Sequence, residues 1–406
     1  MRLELKINRK ETKKVFFWII MLIPFVPIQY LNTTFPFIKS VYAYGRMAVI
    51  FLMTYMIAVV LKRISIPIIM SILIIIAAFI SSYLRGVDLY SVFGYSLYLL
   101  GFTMVVDCGI SKDRTEFLKS MLVYYGAMIV LNYLFTLKFP NGYVYDYGDM
   151  YMFGNHNTTV RKLMPGLYAG LLYSFYRHRR LRWWFYLLYF LLILFCIHVW
   201  SATSIGGMIV LGAAIFYFTI TNKQGIFQYK YFFVGSVVIT MIFAVLQNFQ
   251  QFKAVEFIIT NILNKDPTLS TRTIVWSNTI KLIAESPILG YGQADTEVNR
   301  KLLGAASAHN VFLDELYFGG IVGLVLLFAV VIIVGKAIQR EKDRKLNVVI
   351  VITEAIFCSY FIMWNFEPFA DLNSFYVIYG MFTMAYYCGK FCELGISYKY
   401  PFKRRA

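Results

Sequence analysis

Arg272 and His309 are the side chains in this sequence best suited to hold a departing anion and to move a proton. Histidine accepts protons near neutral pH. Arginine offers phosphate oxygens an always-charged, bidentate fork. A hydroxyl that attacks a sugar carbon needs such a base, and a leaving diphosphate needs paired cations. An Arg and a His converging at one membrane face would therefore suit glycosyl transfer from a lipid diphosphate. Both sit in one polar stretch, from about Asn248 to His309, that separates two apolar segments. It holds Ser270-Thr-Arg272-Thr-Ile-Val-Trp276, then Ser286-Pro-Ile-Leu-Gly290-Tyr-Gly292, and ends on Ser307-Ala-His309-Asn310. The spacing of Arg272, Ile274, Trp276, Ile280 and Ile283 predicts an amphipathic helix that stops at Ser286-Pro287 and the two glycines. The pattern leaves bland roles open: a solvated Arg272 on an interfacial helix, and an interfacial His309 followed by Asn310 as a helix cap.

The elements that must position these residues are apolar. The chain has 406 residues, 59% hydrophobic and 15% charged, with a mean hydropathy of +0.63. Runs of about 17–25 apolar residues span a ~30 Å hydrocarbon core as helices, and no short alternating segments suggest a barrel. This balance excludes a soluble domain and predicts an all-α polytopic membrane protein. Twelve apolar segments are read at approximately 15–31, 41–61, 66–84, 89–107, 117–137, 161–176, 183–201, 204–221, 231–247, 311–335, 347–366 and 374–392. The one at 161–176 is short and contains Pro165. Met1–Lys14 is basic and precedes an apolar run with no small-residue cleavage site, so the run reads as a retained first helix.

The net charge of +18 reads as topology rather than as a nucleic-acid surface. With Met1 inside, basic clusters such as Arg177–Arg182, Lys336–Lys345 and Lys399–Arg405 all fall on inner connections. Cytoplasmic loops retain Lys and Arg. Both termini are therefore expected inside, and the long loop is expected outside, between the ninth and tenth helices. Residues 1–406 read as one membrane domain, with the loop 248–310 part of it. No internal repeat is visible, which weighs against a transporter built from two halves.

Other signals are weaker. Asp146-x-x-Asp149 and Asp295-x-Glu297 have the composition of a divalent-cation site but also of ordinary solvated loops. The five cysteines, Cys108, Cys196, Cys358, Cys388 and Cys392, have neither disulfide nor zinc spacing. Walker, dinucleotide, HExxH and Ser-His-Asp patterns are missing, which argues against an ATPase, a redox enzyme or a zinc protease. No metal and no cofactor are expected. Aromatic residues from Tyr143 to Phe153 could line a glycan path or form an interfacial belt.

Three ordered pieces carry a resemblance: Thr271-Arg272-x-x-x-Trp276, Ser286-Pro287-Ile-Leu-Gly290-Tyr-Gly292, and Ala308-His309-Asn310-x-x-Leu313-x-x-Leu316-x-x-Gly319-Gly320-x-x-Gly323. Together they resemble the O-antigen ligase and polymerase superfamily, which includes the Wzy-type polysaccharide polymerases. Phe153-Gly-Asn155-His-Asn157 is similar to an asparagine-containing loop of that family. The resemblance implies a multi-pass enzyme of the bacterial plasma membrane, acting at its outer face on undecaprenyl-diphosphate-linked oligosaccharide. A flippase and a chain-length regulator are implied as partners in the bilayer. It implies His309 as general base and Arg272 as diphosphate cation, with Arg161, Arg300, Asn157, Asn310 and Trp276 as candidate binding residues. The chain departs from the family at Ile205, in Ser201-Ala-Thr-Ser204-Ile205, where an arginine is common. Arg161 and Arg46 are candidate replacements. Polymerisation of repeat units is the main reading. Transfer of a finished glycan by a ligase is the nearest alternative, and transport of lipid-linked oligosaccharide is a second, disfavoured because Glu354 alone lies deep inside an apolar segment.

Overall fold

A computed structural model describes residues 9–145, 148–178, 180–245, 272–293, 296–344, 348–368 and 372–392. The first part of the polar loop, and the acidic residues Asp146 and Asp295, lie outside these residues. The chain is a polytopic bundle of helices. In order these are α1 (Arg9–Leu22), α2 (Gln29–Thr34), α3 (Phe37–Tyr55), α4 (Ile66–Leu84), α5 (Leu89–Lys112) and α6 (Arg114–Lys138). Next come α7 (His156–His178), α8 (Trp183–His198), α9 (Ala202–Thr221) and α10 (Tyr229–Val245). The last are α11 (Arg272–Glu285), α12 (Thr296–Leu303), α13 (Val311–Arg344), α14 (Val348–Trp364), α15 (Leu372–Tyr386) and α16 (Cys388–Cys392). A two-stranded antiparallel hairpin, Tyr143–Tyr145 with Gly148–Met150, interrupts the helices.

Six of these helical stretches among the described residues are long and apolar enough to cross a bilayer, and α8, α14 and most of α10 are shorter apolar helices. Two of the predicted segments are not simple rods. The segment at 15–31 is broken, because Pro24 and Pro27 lack the amide a helix needs. The chain leaves α1 at Leu22, makes a short tight turn of helix over Ile23–Phe25, and restarts at Gln29. The segment at 161–176 lengthens to the 23 residues of α7 with Pro165 inside it. Proline at 165 leaves the Arg161 carbonyl without its helical donor, and the Tyr360 hydroxyl of α14 donates to that carbonyl instead at 3.2 Å.

Tight crossings hold the bundle. Helix α5 packs along α15, α6 along α7, and α14 along α9. Without water to drive association in lipid, close approach through small residues carries much of this packing. The central helices α14 and α15 are buried along almost their whole described length. Both elements that flank the candidate site, the end of α14 and the start of α13, are thereby rooted in the interior.

Candidate active site

A loop clasped into a helix sets the position of the site. Helix α13 is broken at Gly320, whose φ of 60° and ψ of −156° are non-helical. A continuous helix would bond the amides of Ile321 and Val322 to the carbonyls of Tyr317 and Phe318. Here the Ser286–Gly292 segment takes all four groups. Ile321 donates to the Pro287 carbonyl (2.8 Å), Val322 to Ile288 (3.2 Å), Tyr291 to Tyr317 (2.7 Å) and Gly292 to Phe318 (2.9 Å). Polar backbone cannot stay unpaired at membrane depth, so the break and the loop need each other. Ser81 of α4 and Arg85 just beyond it lock the loop from outside: Ser81 Oγ donates to the Leu289 carbonyl, Arg85 Nε donates to the Gly290 carbonyl at 3.2 Å, and the guanidinium lies 4.9 Å over the Tyr291 ring. A side chain at 320 would collide with the Ile288 carbonyl and would hold a backbone geometry reserved for glycine. Gly320→Ala is therefore expected to destabilise the protein by about 2 kcal/mol or more, read as a lower thermal midpoint and reduced yield.

His309 lies one residue beyond a second grip. The Trp276 indole of α11 donates to the Ala308 carbonyl at 2.8 Å, and the Ala308 amide donates to Asp314 Oδ1 at 2.6 Å. His309 itself adopts a left-handed backbone with φ 53°, which few non-glycine residues hold without support. Asn310 Oδ1 accepts from the amides of Phe312 and Leu313, both at 3.1 Å, and so caps α13. Asn310 Nδ2 donates to Thr240 of α10 (2.8 Å) and to the Asn365 carbonyl beyond α14 (3.3 Å). Trp276 and Asn310 thus fix the backbone on either side of the imidazole. His309 Nδ1 is buried and has no hydrogen-bond partner among the described residues.

Charge converges on this histidine from two elements distant in sequence. Arg272 opens α11, and Arg161 sits in α7 with Nη2 3.2 Å from Thr158 Oγ1 and Nη1 bonded to the Pro368 carbonyl. Burial, then Arg272 and Arg161, push the His309 pKa down to about 4. The same two arginines act on Glu367, 4% exposed. Burial pushes its carboxyl up to about 7 against the pull of Arg272 and Arg161 and of hydrogen bonds from Thr203 and Asn157. Asn157 Nδ2 donates to Glu367 Oε1 at 2.6 Å, while Ser201 Oγ donates to Asn157 Oδ1. Arg272 stacks over Phe366, 5.7 Å from ring centre. A cation at a helix N-terminus adds to the positive end of the helix dipole, so α11 begins with a concentrated attraction for an anion.

Of these groups, Asn157 and Arg272 line a cavity of about 440 Å³. His156, Asn157, Thr203 and Arg272 supply its polar wall, and Trp200, Trp276 and Phe366 much of its apolar one. Two of the candidate arginines are not brought here. Arg300 pairs with Glu297 on its own helix at 3.5 Å and is not among the charges that shift His309 or Glu367. Arg46 is buried over the Tyr98 ring at 3.8 Å and donates to the Pro24 carbonyl. Among the described residues no group of three His, Cys, Asp or Glu side chains has a metal-binding arrangement. Glu367 went unseen as a site residue in the sequence, which places it only near an outer helix end. No local motif surrounds it, and its partners lie in α7, α9 and α11.

No curated protein matches the chain. Residues 188–328 match the family model described as O-antigen ligase. That stretch runs from α8 into α13 and contains Arg272, Trp276, Arg300, His309 and Asn310, whereas Arg161, Asn157 and Glu367 join the site from outside it. Over this part of the chain, about a third of its length, the sequence is similar to the O-antigen ligase family.

Proposed function

We propose that this protein polymerises undecaprenyl-diphosphate-linked oligosaccharide repeats at the outer face of the bacterial plasma membrane. The observation that carries the reading is the convergence of Arg272 and Arg161 on His309 and Glu367, with Arg272 also lining a cavity. In this scheme a sugar hydroxyl of the acceptor repeat gives its proton to His309 as it attacks the anomeric carbon of the donor. The bond from that carbon to the diphosphate oxygen breaks, and the lipid diphosphate leaves toward the two guanidinium groups. A neutral imidazole is required before the transfer, and burial together with the two arginines keeps it neutral. Donor diphosphate bound between them would offset their charge and raise the basicity of His309 when a hydroxyl is to be deprotonated. Purified protein given lipid-linked repeats should return a ladder of longer lipid-linked glycans. A finished glycan moved to a different acceptor, with no ladder, would mark a ligase instead. Sugar-lipid moved across the bilayer with no new bond would mark a transporter.

Glu367 gives this scheme a pH signature. Its carboxyl is neutral below about 7 and anionic above it. An incoming diphosphate competes with that anion for the same two arginines, so donor binding favours the protonated carboxyl. The KM for donor is therefore expected to rise as pH increases through about 7, by up to roughly tenfold per unit if the neutral form is required. Glu367→Gln should flatten the rise while keeping the Asn157 contact. Initial rates over the pH range, wild type against Gln variant, test this, and parallel profiles would refute it.

A further inference from the structure

The bundle end opposite His309 holds a second groove. Helix α10 reaches the candidate site through Thr240 and begins at the other end with Tyr229 and Lys230. Helix α13 likewise starts beside His309 and carries Gly335 and Lys336 toward its far end. Between them lies a cavity of about 290 Å³. Its apolar wall includes Phe233, Val234, Val331 and Ile332. Val234 is 58% and Ile332 50% exposed, so this wall is continuous with the hydrocarbon-facing surface of both helices. Lys230 and Lys336 stand at the mouth, both exposed. The one carboxylate of the groove, Glu354, is answered by Lys342 at 3.8 Å, and Lys342 also donates to Gln228 at 3.3 Å. Lys230 has the Tyr231 ring against its ammonium and acts on Glu354 at longer range, and neither lysine has a carboxylate within ion-pair distance among the described residues.

We propose that this groove is a binding site for one anionic phospholipid of the inner leaflet. Its phosphate would sit between Lys230 and Lys336, and an acyl chain would run along Val234, Val331 and Ile332. Two exposed cations above an apolar trough match a lipid that is negative at its head and hydrocarbon below. A zwitterionic lipid would bring its own cation to the same lysines, and a free phosphate would leave the trough uncovered. Basic residues at a membrane surface each strengthen binding of anionic lipid by roughly fivefold.

Native mass spectrometry of the full chain released from micelles with equal palmitoyl-oleoyl phosphatidylglycerol and phosphatidylcholine tests the site. Wild type should retain one phosphatidylglycerol more than the Lys230→Gln, Lys336→Gln double variant, whose preference for that lipid should fall by about 25-fold. Both lysines are exposed, so the thermal midpoint of the variant should stay close to wild type, and Lys230→Arg with Lys336→Arg should keep the bound lipid. Equal phosphatidylglycerol occupancy in wild type and the Gln variant would overturn the proposal. So would equal retention of phosphatidylcholine, or displacement of the lipid by millimolar inorganic phosphate.

Discussion

Arg272→Ala should leave single repeats on their lipid and abolish the long ladder, with protein level and thermal midpoint near wild type. Arg272 is half-buried, stacks on Phe366 and lines the cavity, and its charge is felt by both His309 and Glu367. Preorganised donors aimed at a leaving anion are worth about 10²–10³ in rate, roughly 3–4 kcal/mol, because they need no reorganisation at the moment of bond cleavage. The loss should fall on kcat as well as on donor KM, since charge on the diphosphate oxygen grows as the bond to sugar breaks. Arg272→Lys keeps one positive charge but loses the planar fork, so about a tenth of the wild-type rate is expected to survive. A purely structural role would instead lower the thermal midpoint of the Ala and Lys variants together and leave the ratio of kcat to KM untouched. A normal ladder from well-expressed Arg272→Ala protein would remove Arg272 from the mechanism.

The general architecture was legible because it rests on local properties. Apolar run length marks the helices, and polar loop length and the Arg–Gly–His order mark the region of the site. What escaped the sequence depends on contacts between distant segments. Pro165 reads as a weakness in segment 161–176, but its missing amide is compensated by Tyr360, far along the chain in α14. Ser286–Gly292 reads as a helix stop, which it is. Its second role, filling the gap at Gly320, needs the partner helix to be seen. Arg300 looks like a second cation in the sequence because it lies in the same polar loop, yet α12 turns it toward Glu297. The second cation acting on His309 is Arg161, one of the two named against the departure at Ile205, while Arg46 is held among Tyr98 and Pro24. Glu367 became visible only once α7, α9 and α11 were brought around the end of α14.

His309→Asn should be the most damaging single change to transfer among those that leave the fold intact. Removing a general base costs about 10²–10⁴ in rate, or roughly 3–5 kcal/mol. The choice of substitute matters because position 309 has φ 53°. Alanine there adds backbone strain of about 1 kcal/mol to the loss of the imidazole, whereas asparagine tolerates the left-handed region and cannot take up a proton at neutral pH. Glycine relieves the backbone altogether. His309→Asn and His309→Gly should therefore match wild type in thermal midpoint and both fail to extend a repeat in single-turnover assays. The Ala variant should show the same loss of transfer with a slightly lower midpoint. Donor binding should survive in all three, because the imidazole is neutral and contributes no charge to the diphosphate. If the Asn variant elongates repeats at more than about a tenth of the wild-type rate, the proton must leave by another route. Glu367, hydrogen-bonded to the cavity-lining Asn157 and Thr203, would then be a candidate acceptor, and its ionisation near 7 would give the residual activity an acid limb that wild type lacks.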